Sequence, residues 1–233
     1  MDNLRKFATT SDYNAALLNL PAVSLVTESN TVYFDKADSM PEFSGLTVYY
    51  NVTEPNVEVK LFNGGGGSSD EGDSDSSGGG GSLPATMMVD DGYENPVNTW
   101  RFATAGIHTV KYTFTDPSTI DVNFNFNNNI VAVEIGNGIQ IIDDVNDGIF
   151  GHCYNMELLL IGSGITSIAY NTFGYNQKLN RITIFATTPP TLGESAFDYT
   201  NDCNIYTPAS SVNTYKTASG WSTYASRIQA IPE

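Results

Sequence analysis

Apolar positions in the second half of the chain recur at a spacing in the low twenties. Phe124, Phe150, Phe173 and Phe197 stand 26, 23 and 24 residues apart. Each carries the same apolar positions behind it: Ile130, Met156, Leu179 and Cys203 six residues on, and Val133, Leu159, Ile182 and Tyr206 nine residues on. Eleven residues on come Ile135, Ile161 and Ile184, and then Pro208 ends the register. A period of this length with a short apolar-x-apolar element predicts a solenoid, in which each coil buries its face only against its neighbours.

Three residues after each Phe stand Asn127, Cys153, Asn176 and Thr200. This is the slot at which leucine-rich repeats place Asn or Cys to hydrogen-bond the turning backbone. Val145, Ile168 and Leu192, five residues before the last three Phe, predict a further buried rung, whose counterpart before Phe124 is the polar Thr119. On that alignment the extra length of the longest coil falls between Ile139 and Val145. The Gly136–Gly138 and Gly162–Gly164 pairs and Pro189-Pro190 read as bends between strands.

These residues resemble the BspA-like leucine-rich repeats of Bacteroides surface proteins and of proteins of their phages, over residues 118 to 231. Residues 187 to 232, from Thr187-Thr188-Pro189-Pro190 onward, are similar to the C-terminal cap of that family. The resemblance implies a leucine-rich-repeat solenoid at 118–203 with a few imperfect coils, and a cap at 204–233. In the cap a helix is expected from Ser210, with Val212, Tyr215, Trp221, Tyr224 and Ile228 as its apolar side.

The first half is patterned differently. Thr9 to Asp12 offer capping side chains ahead of Tyr13, Leu17 and Leu18, and Pro21 ends the apolar run, which predicts a short helix. Val23 to Phe34 alternates around Glu28-Ser29-Asn30 and predicts two strands joined by a tight turn. β-type runs at 46–52, 57–62, 86–89, 99–103 and 108–114, bounded by Gly, Pro or Asn, predict a small antiparallel β-sandwich over 43–117. Residues 64–82, all Gly, Ser, Asp and Glu, cannot bury enough apolar area to offset ordering, so they read as a solvated acidic insert between strands. Asp70, Glu71, Asp73 and Asp75 there lack the ligand pattern of a calcium loop.

The fold class expected is therefore mainly β: an N-terminal helix-hairpin leader at 1–42, the sandwich, the short solenoid and an α/β cap. The leader sequence resembles one found on structural proteins of crAss-like and other Bacteroides phages. That resemblance implies a virion anchor, with Leu4, Phe7, Tyr13, Leu17 and Leu18 as its apolar contacts.

Charge narrows the functions. With 10 Lys and Arg against 26 Asp and Glu the formal charge is −16, so a phosphate-tracking groove lacks its cations, and neither nucleic acid nor an anionic membrane is an expected partner. Met1 to Phe7 has no apolar core of a secretory signal, which predicts synthesis in a host cytoplasm.

Catalytic chemistry has little material. The only histidines are His108 and His152. The His152-Cys153 pair suggests a base and a nucleophile, yet Cys153 fills a repeat slot, and adjacent residues seldom present side chains together. Asp143, Asp144 and Asp147 are weak calcium candidates in the longest coil, and hydration is the favoured reading. The segment Asp121 to Asn127 alternates apolar residues with Asp and Asn, which predicts a strand showing a row of amides.

No catalytic residue, cofactor or firm metal site is expected. The expected function is a fibre or decoration subunit of a phage virion, attached to capsid or tail proteins through its N-terminus. Its expected partners are other fibre subunits, including copies of itself, and a host-surface glycan or protein. An exported BspA-like surface adhesin is the alternative.

Overall fold

The computed structural model describes residues 4–6, 23–28, 31–36, 44–63, 83–143 and 148–232, the first three segments as backbone strands only. The predicted N-terminal helix, the anchor residues Phe7, Tyr13, Leu17 and Leu18, the acidic insert, and Asp144, Val145 and Asp147 lie outside the described residues. The chain is mainly β. Leu4–Lys6 (β1), Val23–Glu28 (β2) and Thr31–Lys36 (β3) form an antiparallel sheet in which β2 and β3 pair as the predicted hairpin.

Next come Leu46–Val52 (β4), Glu58–Lys60 (β5), Thr86–Val89 (β6), Gly92–Glu94 (β7), Thr99–Arg101 (β8) and Gly106–Thr113 (β9). The periodic half then supplies Thr119–Ile120 (β10), Ile130–Ile135 (β11), Ile141–Ile142 (β12), Leu158–Ile161 (β13), Ser167–Ile168 (β14), Arg181–Ile184 (β15), Thr191–Leu192 (β16) and Asn204–Thr207 (β17). A helix at Val212–Thr217, a 3-10 turn at Trp221–Tyr224 and a last strand, Ile228–Ala230 (β18), close the chain.

Two sheets carry the periodic half. The longer strands β11, β13, β15, β17 and β18 pair in parallel, and the short β10, β12, β14 and β16 form a second parallel sheet. The chain alternates between them, so successive coils stack. Inside run the four comb phenylalanines, all fully buried and stacked face to face at 5.0, 5.6 and 5.5 Å with interplanar angles of 10°, 4° and 5°. The spacing is that of neighbouring strands. Each ring thus follows the backbone repeat.

Backbone pairing corrects two alignments made from sequence. Ile120, Ile142, Ile168 and Leu192 share one row of the short sheet, so Ile142 rather than Val145, and Ile120 rather than Thr119, fill that rung. The additional residues of the longest coil therefore lie between Ile142 and Phe150, after the short strand. In the last coil Ile205, not Tyr206, pairs beside Ile182. That coil reaches its strand one residue sooner, which turns Tyr206 to the opposite face.

The antiparallel strands do not end in a separate sandwich. β4 pairs with β11 on one side and β9 on the other, and β6 and β7 follow, giving one mixed nine-stranded sheet that joins strands from both sides of the boundary expected at residue 117. The β5–β8 pair is a small second layer over its inner face. From this layer Phe62 sets its ring against Phe124 at 6.1 Å and Tyr112 at 6.0 Å, while Tyr50 donates its hydroxyl to the Leu61 carbonyl at 2.7 Å. The layer closes the first coil. The Tyr50 and Tyr112 hydroxyls lie 3.0 Å apart in this core, and desolvation raises both pKa values well above the usual phenol range.

The outer face of the same sheet is also buried, along Tyr49, Ala132, Leu158, Leu160 and Tyr206. It buries two charged side chains among the described residues, Glu134 and Arg181. Tyr49 donates to Glu134 at 3.1 Å; Arg181 donates from Nε to Thr183 Oγ1 at 3.1 Å and holds its guanidinium 4.2 Å from the Tyr206 ring centre. Burial lowers the Arg181 pKa to about 10.

At the far end the predicted long helix resolves into shorter pieces. Val212–Thr217 is α-helical, Ala209–Ser211 and Trp221–Tyr224 are 3-10 turns, and Ile228 sits on β18, paired with Ile205. Trp221 is 24 residues after Phe197 and continues the inner stack at 5.8 Å, tilted by 43°. Its indole N–H donates to the Pro190 carbonyl at 2.8 Å, and the Tyr215 hydroxyl donates to Ala186 at 3.0 Å. The cap is thus a fifth, modified coil.

Candidate recognition surface

Two residues after each comb phenylalanine the chain turns, and the side chains there form a second ladder outside the first. Phe126, His152, Tyr175 and Tyr199 stack ring on ring at 4.3, 4.3 and 4.5 Å, with interplanar angles of 6°, 9° and 18°. Phe126 is 58% and Tyr199 67% exposed. Tyr154 meets the His152 ring edge-on, its hydroxyl 3.0 Å from Nδ1.

All four ladder residues have left-handed backbone, with φ of 55°, 59°, 63° and 54°. For a non-glycine residue that conformation costs on the order of 1 kcal/mol or more. Its recurrence has a local cause. The amides of Phe126, His152 and Tyr175 donate to Gly151, Gly174 and Asp198 of the next coil at 3.0, 3.0 and 2.8 Å, and the left-handed turn aims them along the stack. Ring stacking and these bonds offset the strain. Because the rings cover one another, the ladder turns mainly ring edges outward. Only the ends of the stack have a face without a neighbouring ring.

The polar slot lies between the two ladders. The Asn127 amide donates to Lys60 and Leu61 at 2.8 and 3.1 Å, Cys153 Sγ to Phe124 at 3.3 Å, Asn176 to Phe150 and Phe173 at 2.9 Å each, and Thr200 to Phe197 at 2.9 Å. In the last three coils a carbonyl of the turn gains a donor, and in the first the donor goes to the overlying β5 segment. His152 and Cys153 therefore face apart: the imidazole stacks outside, and the thiol is enclosed.

Burial pushes the Cys153 thiol up to about 12, and Cys203 is raised for the same reason. Iodoacetamide at neutral pH is expected to leave Cys153 unmodified in the native protein and to alkylate it in urea, as read by intact-mass spectrometry. Rapid native labelling would contradict the enclosed slot.

Other candidates are placed as follows. The 121–127 segment forms no continuous strand showing amides. Asn123 and Asn127 are buried, with Asn123 Oδ1 accepting the Asn125 N–H at 2.8 Å. Turn formation satisfies these groups within the chain. His108 lies on β9, its Nδ1 2.6 Å from Asp90 and its Nε2 3.0 Å from the Thr104 carbonyl, stacked on Phe102. Asp143 follows β12, and among the described residues no three His, Cys, Asp or Glu side chains converge on a metal position. The glycine pairs are packing positions. A Cβ at Gly164 would fall on the Asn137 carbonyl oxygen, and one at Gly162 would stand 2.7 Å from Asn137 Oδ1.

The outer ladder was readable as an aromatic ring at every Phe plus two, though the residue type changes from Phe to His to Tyr. No protein-family model, curated protein or solved structure matches the chain. No helix among the described residues is long and apolar enough to cross a membrane.

Proposed function

We propose that the coils are a short leucine-rich-repeat solenoid of BspA-like type acting as a rigid, non-enzymatic recognition knob. In this reading the chain is a fibre or decoration subunit of a Bacteroides phage virion, held on capsid or tail proteins by residues 1–42. Copies associate, and the knob meets other fibre subunits or the host surface. The observation that carries the recognition role is the outer ladder: four rings on left-handed backbone held in register over a filled core, half-buried at His152 and Tyr175 and exposed at its two ends, Phe126 and Tyr199. Assignment to a particle rests on the leader and repeat resemblances. The adhesin alternative uses the same ladder, displayed from a cell surface instead.

Immunogold imaging of purified particles tests the proposal. Label is expected on particles carrying the full chain and absent when residues 1–42 are deleted, with the remainder still folded by circular dichroism. Particles that incorporate the deleted form equally well, or that never carry label, would refute the virion reading.

A further inference from the structure

The outer ladder stops at Tyr199. One face of this ring lies on Tyr175, 4.5 Å away. The residue at the next rung, 24 positions on as Trp221 is from Phe197, is Thr223, which carries no ring. Thr223 and Tyr199 both line a cleft of about 480 Å³ whose other walls include Asp198, Asp202, Asn204 and Arg227. The cleft thus occupies the space a fifth ring would fill.

Much of the polar wall is already committed. Arg227 donates to Cys203, Thr200 and Phe197 at 2.8, 2.9 and 3.4 Å, and Asn204 bonds Tyr206 and Gln229 at 3.3 and 3.0 Å. Asp198 Oδ1 accepts from Tyr224 at 2.7 Å. Asp198 Oδ2 and the Asp202 carboxylate are the acceptors that remain in the cleft that Tyr199 also lines.

We infer that this cleft binds a neutral pyranose, whose C–H face continues the aromatic ladder on Tyr199 and whose neighbouring hydroxyls donate to Asp198 and Asp202. One flat apolar face plus acceptors at its rim is the complement of a sugar ring, which is apolar across its axial C–H groups and polar around its edge. Two carboxylates and a chain charge of −16 disfavour anionic ligands. A cationic amine would meet a single ring face rather than a cage, with the Arg227 guanidinium in the same wall. The inference names the ligand class of the recognition surface proposed above and rests on that reading.

Saturation-transfer NMR with the methyl pyranosides of glucose, galactose and mannose tests it on the full chain. At least one is expected to receive transfer, strongest at its axial C–H protons. Tyr199→Ala is expected to weaken binding about tenfold or more, the loss of one stacking face and its desolvated contact. Thr223→Tyr supplies the missing rung and is expected to abolish binding while leaving the unfolding midpoint at or above the wild-type value. Tyr93→Ala, at an exposed position of β7 away from the cleft and the ladder, leaves binding unchanged.

The inference is overturned if no pyranoside receives transfer. It is equally overturned if both cleft variants bind like the wild type, or if tetramethylammonium binds instead and is released by added salt. Particle labelling reads the virion proposal separately, so labelled particles without sugar binding would remove only the ligand assignment.

Discussion

Phe150→Ala is expected to lower the unfolding free energy by about 3–5 kcal/mol, the range for deleting a fully buried aromatic ring. Phe150 lies inside the inner stack, flanked by Phe124 at 5.0 Å and Phe173 at 5.6 Å. Its neighbours cannot close the void. The amides of Phe124 and Phe150 donate to Ile149 and Thr172 of the following coils, each at 2.8 Å, so the backbone on both sides is pinned. The loss should appear as a shifted urea midpoint with little change in slope. Phe126→Ala, at an exposed rung, is the comparison and should cost about 1 kcal/mol or less. If the two variants cost the same, the inner stack is not what holds the coils together.

Asn176→Ala is the second large effect, about 2–4 kcal/mol, because two buried carbonyls lose their donor together. The amide spans coils, bonding Phe150 in one and Phe173 in its own. Asn176→Cys should recover about half of that loss, since a thiol offers one weaker donor in place of two. The slot itself motivates this exchange, because Cys153 already occupies it one coil earlier. Urea unfolding of the two variants checks the order; equal losses for Ala and Cys would show that the slot's hydrogen bonds contribute little.

How legible the molecule was depended on whether one residue type held a position through every coil. The comb phenylalanines kept their identity, and they form the stack. The short-strand rung was misaligned because Ile142 and Val145 are both apolar and only backbone pairing decides between them. Trp221 was assigned to a helix although it stands one period beyond Phe197, since a change from Phe to Trp hid the repeat. The outer ladder was missed for a related reason. Its rings differ in type, and from sequence His152 stood out only as half of a candidate pair with Cys153. The antiparallel strands were visible as strands, but the fusion of β4 to β11 depends on contacts between distant segments. Nothing local in either strand specifies its partner.

The near-identity of successive coil contacts has an evolutionary consequence. Duplicating one internal period, such as residues 167 to 190, would create a new junction chemically equivalent to those already present, while the Phe62 layer and the Trp221 cap kept their own contacts. Length is therefore a heritable variable that can change by whole units, each adding about 5 Å of reach, without redesign of either terminus. Unequal recombination within such a gene would yield folded products of several sizes, and selection could sample how far the Tyr199 end stands from the Phe62 layer.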